Sequence, residues 1–170
     1  MVTEDEWLSL ASFRINPNSE KPEIYTLIIC RDVDYPVLLD KQIVFFNKKE
    51  LSSKALELCS LEVQRLGPAP QEVDLVVDLA ESLYLISNED IDTTSTILDC
   101  LNTLIDLVKA AQIPIPEHYK NSLYAFADHL TFEQEFSSFF VNHSVNRSAI
   151  LDGILWCVGA VFIQSILLTD

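Results

Sequence analysis

The sequence predicts an α+β fold that is mostly α: a small N-terminal antiparallel sheet with one helix, then a bundle of about five helices around an apolar C-terminal helix. Three observations carry this expectation. A stretch rich in β-branched and aromatic residues, 24 to 46, is broken by turn formers. GPAP at residues 67 to 70 separates that stretch from the rest of the chain. Beyond it, apolar residues recur at helical spacing and end in AILDGILWCVGAVFIQSILL, residues 149 to 168, where almost every side chain prefers to leave water.

In chain order, Trp7, Leu8, Leu10, Phe13 and Ile15 suggest a first strand before the turn-rich NPNSEKPE. IYTLIIC, residues 24 to 30, reads as a second strand. Residues 37 to 39 and 42 to 46 read as the arms of a hairpin whose two-residue turn is Asp40-Lys41. Asn47 with Glu50 three residues later resembles a capping box. It would open an amphipathic helix through Leu51, Ala55, Leu58 and Leu66 that stops at Gly67-Pro68.

After GPAP, Val73, Val76, Val77, Ala80, Leu83 and Tyr84 follow steps of three and four, the mark of a helix. Asp90 or Asp92 is placed to cap a further helix through Ala111, with Ile97, Leu101, Leu104 and Val108 on one face. Pro116 suits the first turn of a helix over 117 to 130, and Thr131 is placed to cap a short one after it. Asn146 or Ser148 starts the last helix. The chain is expected to be one domain, 1–170, with a sheet-plus-helix part to residue 67 and a helical part from 68.

Composition narrows the function. The 170 residues carry a net charge of −15 with 49% hydrophobic residues, so the chain is acidic yet apolar enough to fold. Residues 71 to 146 hold thirteen acidic side chains against Lys109 and Lys120, a net charge of −11. Such a field repels nucleic-acid phosphates and steers a basic partner inward. The four cysteines are far apart and in no C-x-x-C pair, which points to buried thiols in a reducing, cytoplasmic setting. The first residues, MVTEDEW, lack the basic and apolar segments of a secretory leader.

Three glycines in the whole chain leave no glycine-rich loop for a nucleotide phosphate, and no cofactor is expected. None of His118, His129 and His143 has a glutamate three residues before it, so the helical di-metal pattern is missing and no metal is expected. His129 and Glu133, four apart, form at most a surface ion pair or the seed of a spatially assembled His/carboxylate site. No sequence signature of a catalytic nucleophile stands out.

Two patterns remain as partner-binding candidates. Asp74, Asp78 and Glu81 fall at i, i+4 and i+7, a carboxylate stripe on a helix. Phe132, Phe136, Phe139 and Phe140 form an aromatic stripe that is either core or an exposed contact face.

The expected function is therefore a non-enzymatic protein–protein interaction module: an adaptor, a scaffold, or a neutralising partner of a basic protein. Its partner is another protein or a second copy. Two alternatives stand beside it. One is an enzyme with a site around His129; the other is a tail-anchored membrane protein spanning with residues 149 to 168. Asp152 and Gln164 within that run favour a core helix over a span.

Overall fold

The computed structural model describes residues 6–88, 94–133 and 135–170; the expected caps Asp90 and Asp92 lie outside them. Nearly continuous apolar strands, whose successive side chains point to opposite faces, set the sheet. The strands are β1 (Trp7–Arg14), β2 (Ile24–Cys30), β3 (Tyr35–Pro36), β4 (Leu38–Leu39), β5 (Gln42–Phe46), β6 (Leu75–Asp78) and β7 (Ser165–Leu168). Leu8, Leu10, Leu27, Ile29, Val44 and Phe46 point to one face, and Ala11, Phe13, Ile28, Cys30, Ile43 and Phe45 to the other. Both sets are buried, so the sheet is the middle of three layers.

β1 and β2 are antiparallel, as are β2 and β5. The short β3 and β4 fork between β2 and β5, where Val37 donates to the Leu27 carbonyl at 3.0 Å and accepts from Val44 N at 3.2 Å. The hairpin turn falls at Asp40-Lys41, as its two-residue length predicts. Both residues take positive φ, 50° and 68°, the pair of conformations that a primed turn requires.

Two strands were not anticipated. The helix expected over 73 to 84 is replaced at its start by β6, which lies parallel to β1 with Val76 opposite Ser12 and Val77 opposite Phe13. A local preference of valine for extended backbone prevails here because β1 offers an unpaired edge. At the other end, residues 149 to 168 are not one helix. The helix stops at Ile163, and Ser165–Leu168 pairs in parallel with β5 as β7. The sheet is therefore mixed and draws strands from both ends of the chain, rather than small, N-terminal and purely antiparallel.

One face is covered by α1 (Ser52–Glu57) and α2 (Leu61–Gln64), which come after a 3₁₀ turn at Lys49–Leu51. The capping box at Asn47 is not formed. Lys48 precedes the turn without a side-chain cap, and the buried Asn47 Oδ1 meets no donor among the described residues. Nor is the helix continuous to Leu66. It breaks at Leu58 to Ser60, and the Ser60 hydroxyl accepts from Val63 N at 3.4 Å to start α2.

The other face is covered by α3 (Leu79–Ser87), α4 (Thr94–Ala111), α5 (Glu117–Phe132), α6 (Phe136–Asn142) and α7 (Arg147–Ile163). The α4 face read from periodicity is buried: Ile97, Leu101, Leu104 and Val108 all lie in the core. Asn146 caps α7 by accepting from Ala149 N at 2.8 Å, as its position predicts. Thr131 caps nothing. α5 continues through it to Phe132, and the threonine hydroxyl donates back to the Ala127 carbonyl at 2.8 Å. The result is an α+β fold, mostly α, with a five-helix layer on one side of the sheet.

Among the described residues no single helix is long and apolar enough to cross a membrane. α6 and α7 would reach that length only together, and they meet at 110°.

Candidate interaction surfaces

The carboxylate stripe does not exist as a stripe, because its first two members bracket a strand. Asp74 stands just before β6, where its side chain accepts from Ser9 Oγ at 3.1 Å and Leu10 N at 3.3 Å. Asp78 ends β6 and caps α3, accepting from Glu81 N at 2.9 Å. It also holds Arg14, whose Nε lies 3.0 Å from Oδ2, while Glu81 stands 3.9 Å from the same guanidinium. The hydrogen bond to Asp78 pushes the Arg14 pKa up. These carboxylates stitch β1 to β6 and α3, which is a structural use of charge.

The aromatic stripe divides as well. Phe136 and Phe139 are buried and Phe140 is half-buried, and all three pack on Phe126 of α5 with ring centroids 5.7, 5.0 and 5.7 Å away. Phe132 is 80% exposed. It lies in the last turn of α5 rather than in α6, so it leaves the face the other three share. Arg147 caps the cluster from α7, with its guanidinium carbon 5.6 Å from the Phe136 ring and 5.2 Å from that of Phe140.

His129 does not pair with Glu133. Its Nε2 lies 2.7 Å from the Glu135 carbonyl and 2.9 Å from Ser138 Oγ. A carbonyl only accepts, so Nε2 carries the hydrogen and cannot take a proton from Ser138. The serine hydroxyl in turn donates to the same carbonyl at 3.1 Å. The contact resembles a nucleophile–base pair by distance alone; its hydrogen-bond polarity makes it a clasp between α5 and α6. Among the described residues no group of three histidine, cysteine or acidic side chains could hold a metal ion.

The surface that periodicity did not single out is the outer side of α7. Beyond Arg147, Ser148 and the exposed Asp152 in its first turns, the helix is apolar all round, yet it buries only Ile150, Gly153, Ile154, Cys157, Ala160 and Val161 against the rest of the layer. Leu155, Gly159, Phe162 and Ile163, spaced by four, three and one, stay outside, with Phe162 75% and Ile163 76% exposed. A Cβ placed on Gly159 would meet nothing within 4 Å. At its C-terminal end this stripe joins an apolar cleft of about 50 Å³, in which Phe162 meets Ile15, Ile24 and Phe45 from the sheet. The signal was present in the sequence as a helix without a polar side.

A second, larger cleft of about 280 Å³ lies between α2 and the β2–β3 turn. Arg31 and Arg65 line it, but Glu6 stands 3.8 Å from Arg31, whose guanidinium also lies 6.0 Å from the Tyr35 ring centre.

No family model and no curated protein matches this chain. Among solved structures, one described as the crystal structure of SatS C-terminal domain in complex with bromine is similar at 11% identity and a TM-score of 0.49. It covers 96% of this chain and 94% of its own.

Proposed function

We propose that this protein is a non-enzymatic interaction module that docks a protein partner on the outer side of α7. The observation that carries this reading is a helix whose outer side, beyond Asp152 at its start, is apolar, with Leu155, Phe162 and Ile163 bare. An apolar helix side of this kind is ordinarily covered, because leaving large side chains in water forgoes roughly 25 cal/mol for each Å² that could be buried. With a net charge of −15, the chain favours a partner whose apolar patch is rimmed by lysine or arginine. Four free, buried cysteines fit a reducing, cytoplasmic setting.

Affinity capture with the wild-type chain and with the double variant Leu155→Glu/Phe162→Glu tests this. A partner retained by the first, lost by the second and released as salt rises supports the reading. Identical retention by both would remove α7 as the docking surface.

A further inference from the structure

At opposite sides of the sheet, β7 and β6 each leave one side unpaired among the described residues, and they are matched in length and direction and differ in charge. β7 pairs only with β5, and β6 only with β1, among the described residues. Each is four residues long. β6 runs with β1, β1 against β2, β2 against β5, and β5 with β7, so the two edge strands point the same way.

Their unused backbone groups can be named. The Gln164 and Leu168 carbonyls accept from Ile43 N at 2.9 Å and Asn47 N at 3.2 Å, so even-numbered residues of β7 face β5. Ser165 and Leu167 therefore turn their N–H and C=O groups outward. On the other edge Leu10 turns its backbone groups toward β6, its carbonyl accepting from Asp74 N at 2.9 Å, and so does Ser12, which lies opposite Val76. The residue opposite an inward-facing one in a parallel pair faces away, so Val76 carries the outward N–H and C=O of β6. Exposed apolar side chains accompany both edges, Val76 at 58% and Leu167 at 53%.

Charge separates the two edges. Residues 71 to 81, around β6, hold four acids and no base. Residues 41 to 54, the strand beside β7 and the segment after it, hold four of the chain's eleven basic side chains against Glu50 alone. Lys41 lies at the start of β7, where its carbonyl accepts from Gln164 Nε2, and Lys48 lies at its end, paired with Asp170. Asp40 and Asp170 offset part of this charge, and Arg14 of β1 offsets one of the four acids beside β6, so the β7 edge is close to neutral while the β6 edge stays acidic. Two β6 edges would repel each other.

We propose that copies of this chain assemble head to tail, with the β7 edge of one adding in parallel to the β6 edge of the next. The Ser165 carbonyl of one copy accepts from Val76 N of its neighbour, and the Val76 carbonyl accepts from Leu167 N. Lysines beside the first edge approach the carboxylates beside the second. An edge that meets a different edge does not close on itself as a two-fold dimer does, so the sheet continues from copy to copy. This surface is distinct from the outer side of α7, and neither reading depends on the other.

The test uses two variants of the whole chain. Leu167→Pro removes an outward N–H from β7, and Val76→Pro removes one from β6, at positions where the internal ladder does not use it. Molar mass is measured by light scattering over a range of concentrations. The wild-type chain is expected to grow in mass with concentration, and growth is expected to weaken as salt rises. Each variant alone should stay monomeric, and an equimolar mixture should form a one-to-one dimer and stop there. Val76→Lys, which keeps the backbone N–H but adds a charged side chain to the exposed edge, replaces Val76→Pro should that variant not fold. A wild-type chain that stays monomeric, a mixture that stays monomeric, or a single variant that still self-associates would each overturn the proposal.

Discussion

Leu123 of α5 fills the space that a side chain at position 153 would need. Its Cγ, Cδ1 and Cδ2 lie 3.1, 3.2 and 3.2 Å from the place of a Cβ on Gly153. Leu123 is itself fully buried, so it cannot swing away. Overpacking of this kind costs about 1–3 kcal/mol, more than the roughly 1 kcal/mol that alanine gains over glycine within a helix. Gly153→Ala is therefore expected to lower stability by about 1 kcal/mol, whereas Gly159→Ala, which meets nothing, raises it by up to about 1 kcal/mol. Denaturant unfolding of the two variants checks the opposite signs.

The aromatic residues should separate in the same way. Phe126 is fully buried and touches three other phenylalanine rings, so Phe126→Ala is expected to cost about 3–5 kcal/mol. Phe132→Ala, at 80% exposure, should stay within about 0.5 kcal/mol. Thermal unfolding of both variants provides the measurement; equal losses would contradict the placement of Phe132.

Burial pushes the Cys100 thiol from its ordinary 9.0 to about 12 and that of Cys157 to about 11. Both should resist alkylation in the folded protein and react only on unfolding, which native and denaturing titrations with a chromogenic disulfide reagent compare. Because the folded-state values are raised, the folded thiols keep protons that the unfolded chain releases. Their contribution is complete below about pH 9 and falls as pH climbs toward the folded values.

Asp106 of α4 is held above the ordinary carboxylate range by burial, which Lys109, 4.0 Å away, only partly offsets. Stability from this group is complete below the ordinary aspartate range and is lost as pH rises through the raised value. Asp106→Asn is therefore expected to raise the melting temperature at neutral pH. The gain should vanish in acid, where the wild-type carboxyl is already neutral. A pH series of melting curves reads this directly.

The division between sequence and tertiary structure tracks the range of each interaction. Local rules placed the Asp40-Lys41 turn, the buried face of α4 and the Asn146 cap, because each depends on residues within about one turn of one another. The same rules failed at Leu75 to Asp78 and at Ser165 to Leu168. Both segments become strands only because β1 and β5, more than 60 and 120 residues away in sequence, leave an edge for them to pair with. They failed again for the carboxylates. Asp74 and Asp78 fit a helical stripe by spacing, and the fold spends them on Ser9, Leu10 and Arg14.

The sequence by itself determined that the chain is acidic, that it folds as mostly helical α+β, and that its last long apolar run packs into the fold. Tertiary structure decided which side of that run is covered. A helix apolar all round has no preferred face of its own, so only the position of α3, α4, α5 and the sheet buries Ile150, Ile154 and Cys157 and leaves Leu155 and Phe162 outside.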